Sequence, residues 1–221
     1  MKYTQFNPHP FEIHSMAYDL VEPGSTVLDI GCASGYFAKA LQKKHCHVTG
    51  VDIDRKAVAN AKKYCDSVVA ADMDTEERKR IPKKKYDYIL LLDIIEHLKQ
   101  TDTLLIELKK RLSKNGKIII STPNIAHLSV RLRLLAGHFD YTEYGLLDSS
   151  HIHFFTKKTL AHTLHSHGLT IHTMTASADF GQIPVLGKFL RRVPKIIQYN
   201  ITKLFPAILG VQWLAVATRN I

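Results

Sequence analysis

The sequence predicts an α/β fold, a doubly wound and mostly parallel seven-stranded sheet with a helical insertion before the last strand. Three observations carry this. Short apolar runs alternate with segments of helical spacing, the pattern of parallel strands buried on both faces. Glycine-rich or acidic residues follow the first runs, where such sheets hold their ligands. Two further apolar runs near the end of the chain bring the strand number to seven.

Residues 27–30 and 48–51 read as buried strands. Between them, residues 36–44 have helical spacing at Phe37, Ala40 and Leu41. Asp54 is placed to cap a helix running through Ala57, Val58 and Ala61. Residues 67–70 and 86–92 are the third and fourth strands. A leucine-rich helix over 101–112 leads through an Asn115-Gly116 turn into a fifth strand at 117–121. Residues 124–136 and 156–167 read as helices, and 169–175 and 211–218 as the last two strands. Right-handed crossovers are expected throughout. There is no internal repeat, so residues 1–221 are expected to form one domain with an insertion at about 180–210.

The apolar content of 45% is enough for a sizeable core. No apolar run approaches the ~18 residues of a membrane span, and the first residues lack the apolar centre of a signal peptide. Cys32, Cys46 and Cys65 have no metal-ligand spacing and fit reduced thiols, so a cytoplasmic protein is expected. The net charge of +10 admits nucleic acid, an anionic membrane, acidic substrates or solubility alone. The run ERKRIPKKK (77–85) has no interleaved aromatics to stack on bases and reads as a solvated loop.

The stretch VLDIGCASGYF (27–37) sets Asp29 before a turn containing Gly31, Ala33 and Gly35. The glycines let a ligand approach the backbone. A dinucleotide turn would want a third glycine where Tyr36 stands, and Asp29 would repel a pyrophosphate. A carboxylate there suits a cation-bearing nucleoside such as S-adenosylmethionine (SAM). Asp52 ends the second strand, where an acid can take both ribose hydroxyls. Ile53 would lie against the adenine, and Asp72, with Met73 beside it, would accept the adenine amino hydrogen.

With these residues in order, the sequence resembles class I SAM-dependent methyltransferases over roughly residues 8–176 and the final strand. VLDIGCASGYF, VTGVDID, AADMD and YDYILLLDIIEHL are similar to four successive motifs of that family, with Ala33 where glycine is usual. The resemblance implies a Rossmann-like methyltransferase fold whose last strand is antiparallel.

A second constellation follows the fourth strand. In DIIEHL, Asp93, Glu96 and His97 have the spacing of one helical turn, and DSSHIHFFT downstream adds Asp148, His151 and His153. Such a set can hold a divalent cation such as Mg or perform proton transfer. It can also be simpler, with Asp93 touching the methionine part of SAM and Glu96 and His97 capping a helix. The motif is similar to the ExxEH metal site of ubiquinone-biosynthesis O-methyltransferases and small-RNA 3′-end methyltransferases, with Asp93 in place of the first glutamate. That resemblance implies Asp93, Glu96 and His97 as metal ligands, and His151 is expected to join them if the two segments meet in space. Residues 121–156 resemble bacterial methyltransferases associated with envelope glycans, in which His151 has a matching histidine and arginine is common at the place of His153. Catalytic roles are therefore expected for His151, His97 and Glu96, and a substrate contact for His153.

Residues 180–221 contain no Asp or Glu. Within 183–209, apolar residues recur at helical spacing, broken at Pro194, with Lys188, Arg191, Arg192, Lys195 and Lys203 between them. Two arrangements are open. A lid would bury Leu186, Phe189 and Leu190 on the sheet. An interfacial helix pair would lie on an anionic membrane, at its inner face, and suit a lipid-linked acceptor. The expected activity is O-methylation of a sugar, lipid-linked glycan or other small hydroxylated acceptor. The alternatives are an RNA 3′-terminal methyltransferase, which lacks a recognisable RNA module, and a non-catalytic SAM-binding regulatory protein.

Overall fold

The computed structural model describes residues 5–183 and 186–220. Its strands are β1 (Thr26–Ile30), β2 (His47–Asp52), β3 (Ser67–Ala70), β4 (Tyr86–Leu92), β5 (Leu112–Pro123), β6 (Leu169–Ala178) and β7 (Gly210–Arg219). They form one seven-stranded sheet in the order β3-β2-β1-β4-β5-β7-β6. The first five are mutually parallel, and β7 runs antiparallel to both β5 and β6. The helices are α1 (Ile13–Leu20), α2 (Tyr36–Leu41), α3 (Arg55–Ala61), α4 (Thr101–Lys109), α5 (Leu128–Leu135), α6 (Lys157–Ser166), α7 (Gly187–Leu190), α8 (Lys195–Leu204) and α9 (Pro206–Leu209).

Strand side chains alternate between two cores, as a pleated sheet requires. Leu28, Ile30, Ile89, Leu91, Ile118 and Ile120 pack on one face with Leu104 and Leu108 of α4 and Leu160 and Leu164 of α6. Val27, Val48, Leu90, Ile119 and Leu214 pack on the other with Ile13 and Ala17 of α1 and Phe37 and Leu41 of α2. Parallel register pairs Ile30 with Val51 and Leu91, Asp52 with Ala70, and Leu92 with Ser121. The residues following these strands therefore share one edge, and the cleft lies there.

Several elements differ from the sequence reading. The helix expected over 36–44 tightens to a 3₁₀ turn at Gln42–Lys44, and that expected over 101–112 stops at Lys109. Asn115 and Gly116 lie within β5, which carries an irregular register opposite Tyr86 and Tyr88, rather than in a turn before it. The helix expected from residue 124 starts only at Leu128, because buried Asn124 ties its side chain to the carbonyls of Ala207 and Gly210. Helix α1 had no sequence signal strong enough to read: it buries only Ile13 and Ala17 and has no side-chain cap. Asp54 caps α3 as expected, accepting from the amides of Lys56 and Ala57. The insertion consists of α7, α8 and α9, with Pro194 at the entry to α8 and Pro206 opening α9. Pro184 and Val185 of the expected amphipathic stretch lie outside the described residues.

Candidate active site

Three adjoining hollows line the carboxyl edge of the sheet, and His97 borders all three. The first, of about 280 Å³, is bordered by Ile53, Asp72, Met73 and Leu98. The second, of about 200 Å³, is bordered by Gly31, Ala33, Tyr36, Asp52 and Asp93. The third, of about 260 Å³, is bordered by Glu12, Asp93, Glu96, His151, Asp179 and Gln212. Gly31 and Asp52 join the first two, and Asp93 joins the second to the third.

The glycine-rich turn is held by strand β2. Gly31 and Cys32 donate their amides to the Val51 carbonyl at 2.7 and 3.0 Å. Gly31, Ala33 and Gly35 all have left-handed backbone, with φ of 78°, 46° and 79°. A side chain at Gly35 would press on the Ala61 backbone of α3 at 3.0 Å, so glycine is also needed there for packing. Ala33 is not a neutral replacement for glycine: a non-glycine residue in this region carries strain of about 1–2 kcal/mol.

Asp52 braces the same turn. One carboxylate oxygen accepts the Ala33 amide at 2.8 Å and the other the Asp54 amide at 2.9 Å. Each oxygen retains a second lone pair for a ligand hydroxyl. Ile53 is 67% exposed beside it, an apolar surface available for a flat ring. Asp72 accepts the Asp74 amide, while Met73 is buried under the first hollow.

Asp29 lies elsewhere than the sequence reading placed it. It is buried beneath the turn, borders none of the three hollows, and its Oδ2 has no hydrogen-bond partner. Burial, with the charge of Asp52 added, raises its pKa to about 7. Any effect on a bound cation acts through space across the turn rather than by contact.

The segment after β4 folds into a 3₁₀ turn, Ile95–His97, rather than an α-helix. Asp93 precedes it with a left-handed backbone, φ 54°. Its carboxylate accepts from Ser121 Oγ at 2.7 Å and from Gln212 Nε2 at 2.8 Å. These bonds point Asp93 towards β5 and β7, so it does not join the expected metal set. Burial raises its pKa, and the two donors oppose that rise.

Glu96, His97 and His151 do come together, with one ligand atom from each lying within 4.8 Å of the others. The loop carrying His151 docks through the Glu96 carbonyl, which accepts the amides of Ile152 and His153 at 2.9 and 3.0 Å. The His97 Nδ1 lies 3.1 Å from the Ser150 carbonyl. A carbonyl only accepts, so Nδ1 carries a hydrogen, and in the neutral ring Nε2 is then the nitrogen with a lone pair. The rings of His97 and His151 meet edge to face at 4.8 Å. Glu96 is buried, and burial together with the charge of Asp93 raises its pKa well above the usual carboxylate range, against the opposing effect of its own backbone amide and the Thr122 hydroxyl. A buried carboxylate beside two imidazoles fits a divalent cation. Asp148 is buried at the start of the same loop and accepts from the Ser150 amide and hydroxyl. His153 is exposed and borders none of the hollows.

Several contributors had no legible motif. Ser121 and Gln212, which hold Asp93, are polar residues inside apolar strands; that anomaly is the only trace they leave. His14 borders the second hollow, accepts the Asn7 amide on Nδ1, and is held down to about pKa 4 by burial. Glu12 and Asp179 rim the third hollow and are bridged by Lys195 of α8, at 2.8 and 3.7 Å. Among the described residues no lysine or arginine borders that hollow, although the chain is strongly basic.

A family profile described as "Methyltransferase domain" matches residues 12–174. The ubiquinone biosynthesis O-methyltransferase of Bradyrhizobium diazoefficiens is 30% identical over 118 residues, covering 52% of this chain and 47% of that one. The enzyme of the same name from Aeromonas salmonicida is 21% identical over 156 residues, covering 69% and 66%. The chain spans about half the length of the first of these curated relatives. Among solved structures, a SAM-dependent methyltransferase from Archaeoglobus fulgidus superposes with a TM-score of 0.60 at 22% identity, covering 93% and 90% of the two chains. One from Mesorhizobium loti gives 0.63 at 18% identity, covering 95% and 98%. At these identities the structures attest the fold alone.

Proposed function

The chain belongs to the class I SAM-dependent methyltransferases, and from that premise we propose that it methylates an oxygen of a small hydroxylated acceptor. The observation carrying this is the meeting of Glu96, His97 and His151 at the end of the cleft beyond Asp93. The first two hollows take SAM, with adenine on Ile53 and Met73, ribose on Asp52 and the methionine part near Asp93. The third takes the acceptor.

As the acceptor oxygen bonds to the methyl carbon, the carbon–sulfur bond breaks and sulfur leaves as a neutral thioether. The protein's work is to align three atoms and to remove one proton from the acceptor hydroxyl. His151, with the His97 ring beside it, takes that proton. A divalent cation held by Glu96, His97 and His151 would be the alternative route: it would make a hydroxyl next to it easier to deprotonate, and His151 would then serve as a ligand rather than as the base. Among the described residues no lysine or arginine lines the third hollow to pair with a phosphate, which supports an acceptor without phosphates at the reacting end. That weighs against RNA and suits a phenol, a sugar or the hydroxyl end of a lipid.

The test has two arms. Calorimetry with SAM on the wild type and Asp52→Ala should show binding that weakens roughly 5- to 150-fold, for about 1–3 kcal/mol of lost hydrogen bonding. Transfer of labelled methyl from SAM to catechols, phenols and sugars, with and without chelator, reads the acceptor and any cation requirement. Failure of the wild type to bind SAM would overturn the reading. Binding without transfer to any hydroxylated acceptor would leave a SAM-binding protein of another kind.

A further inference from the structure

Helix α8 is turned inside out. In an ordinary surface helix the apolar stripe faces the core and the polar face meets water. Here the residues buried against the protein are Gln198 and Thr202. Gln198 acts as a polar pin: its Oε1 accepts the Phe180 amide at 2.9 Å and its Nε2 donates to the Val193 carbonyl at 2.7 Å. The stripe Ile197, Ile201, Leu204 and Ile208 is exposed, Leu204 at 73%. Leu186 and Phe189 of the preceding stretch are exposed too, Phe189 at 70%, where a lid packed on the sheet would bury them.

The charges beside this stripe have one sign. Lys188, Arg191, Arg192 and Lys203 are exposed, and no acid occurs from residue 180 onward. Lys195 is engaged by Glu12 and Asp179 and anchors the helix instead. Helix α5 repeats the pattern on a smaller scale: Leu132, Leu134 and Leu135 are exposed next to Arg131 and Arg133. Apolar residues facing outward among cations are what an anionic lipid surface recognises. A protein partner would need acids set among its own apolar residues, and nothing on this surface selects for that arrangement over lipid headgroups.

The stripe also starts beside the acceptor hollow. Gln182 rims that hollow, and Leu186 follows four residues later, a reach of at most ~14 Å. Among the described residues no helix is long and apolar enough to cross a membrane, so the contact is peripheral. We infer that the outer face of α7–α9 seats on an anionic membrane and that the acceptor is a lipid-borne hydroxyl compound entering the third hollow past Gln182. The acceptor part of this inference rests on the methyl-transfer reading above; the docking part does not.

Co-sedimentation with vesicles of phosphatidylcholine containing phosphatidylglycerol, and with phosphatidylcholine alone, tests it. The wild type should pellet with the anionic vesicles at low salt and be released as salt rises. Each engaged cation contributes about fivefold to partitioning, so Arg192→Gln with Lys203→Gln should weaken it roughly 25-fold. Ile201→Ser with Leu204→Ser should weaken it at least about tenfold. SAM affinity, read by calorimetry on the same proteins, should be unchanged, because these side chains are exposed and border neither of the hollows that contain Asp52. A wild type that stays in the supernatant with anionic vesicles at low salt overturns the inference. So does equal pelleting with neutral vesicles, or self-association abolished by Ile201→Ser without vesicle binding. Loss of SAM binding in the wild type would instead sink the methyl-transfer reading and leave the docking result standing.

Discussion

The end of the cleft proposed for the cofactor and the end proposed for the acceptor are built in opposite ways. The cofactor end uses residues that follow successive parallel strands, Gly31 and Ala33 after β1, Asp52 at the end of β2, Asp72 after β3 and Asp93 after β4. Sheet register alone brings them together. The acceptor end draws Glu12 from before α1, Glu96 and His97 from a 3₁₀ turn, His151 from a loop, Asp179 from beyond β6 and Gln212 from β7. Its assembly depends on long-range ties, such as the Glu96 carbonyl holding the His151 loop and Lys195 bridging Glu12 to Asp179. On the proposed reading, the first end takes SAM through backbone and carboxylates, and the second is where a particular acceptor would be selected by changing loops.

The largest test of this division is His151→Ala. If His151 removes the acceptor proton, turnover should fall roughly 10²- to 10⁴-fold. The cofactor end should not notice: SAM affinity by calorimetry should stay within about twofold of the wild type, since independent sites rarely couple by more than ~0.5 kcal/mol. Full turnover in the variant would remove His151 from the chemistry. Lost SAM affinity would show that the two ends are one unit.

The same division explains what could be read in advance. Strand periodicity and the placement of Gly31, Asp52, Asp72 and Asp93 at or after successive strand ends are local signals, so the sheet and the gathering of these residues at one edge were legible. Glu96, His97 and His151 were also singled out, because acids and imidazoles cluster in two short motifs. The orientation of Asp93 was not, since it depends on Ser121 and Gln212 from strands far along the chain. Nor was the depth of Asp29, because it lies inside β1, one residue before the strand ends at Ile30, where the sheet buries it rather than presenting it to the cleft. The inverted α8 was half legible: its apolar stripe was plain, but only the bonds of Gln198 decide which side faces the protein.

A middle-sized effect probes the cofactor end through pH. Asp29 keeps its proton in the folded protein up to about pH 7, whereas its ordinary pKa is 3.8. The group facing it with charge is Asp52, with the thiols of Cys32 and Cys65 nearby. Between those two values the folded state binds more protons than the unfolded state. Its contribution to stability therefore falls as pH rises from about 4 to 7 and is flat above. A cation bound across the turn favours the ionised form, so SAM should bind more tightly at pH 7 than at pH 6 and release protons as it binds. Calorimetry in buffers of different ionisation enthalpy reads that release. Asp29→Asn should flatten both the stability slope and the proton release. A binding enthalpy independent of buffer would make Asp29 a structural residue only.

The smallest expected effect is Ala33→Gly, and it asks whether the cofactor turn stores strain for a purpose. At φ 46°, alanine carries about 1–2 kcal/mol of strain that glycine would not. Glycine loses more conformational freedom on folding, by roughly 0.5–1 kcal/mol. The difference leaves the variant more stable by up to about 1.5 kcal/mol, at about 2–4 °C of Tm per kcal/mol for a chain of this size. The Ala33 amide still reaches Asp52 in the variant, so the brace between turn and carboxylate survives. SAM affinity should then be unchanged, and the strain would be an inherited cost of the alanine. Weaker SAM binding at raised stability would give the opposite lesson. The alanine would be holding the turn in its binding shape, and the cofactor end would be tuned residue by residue, as the acceptor end is.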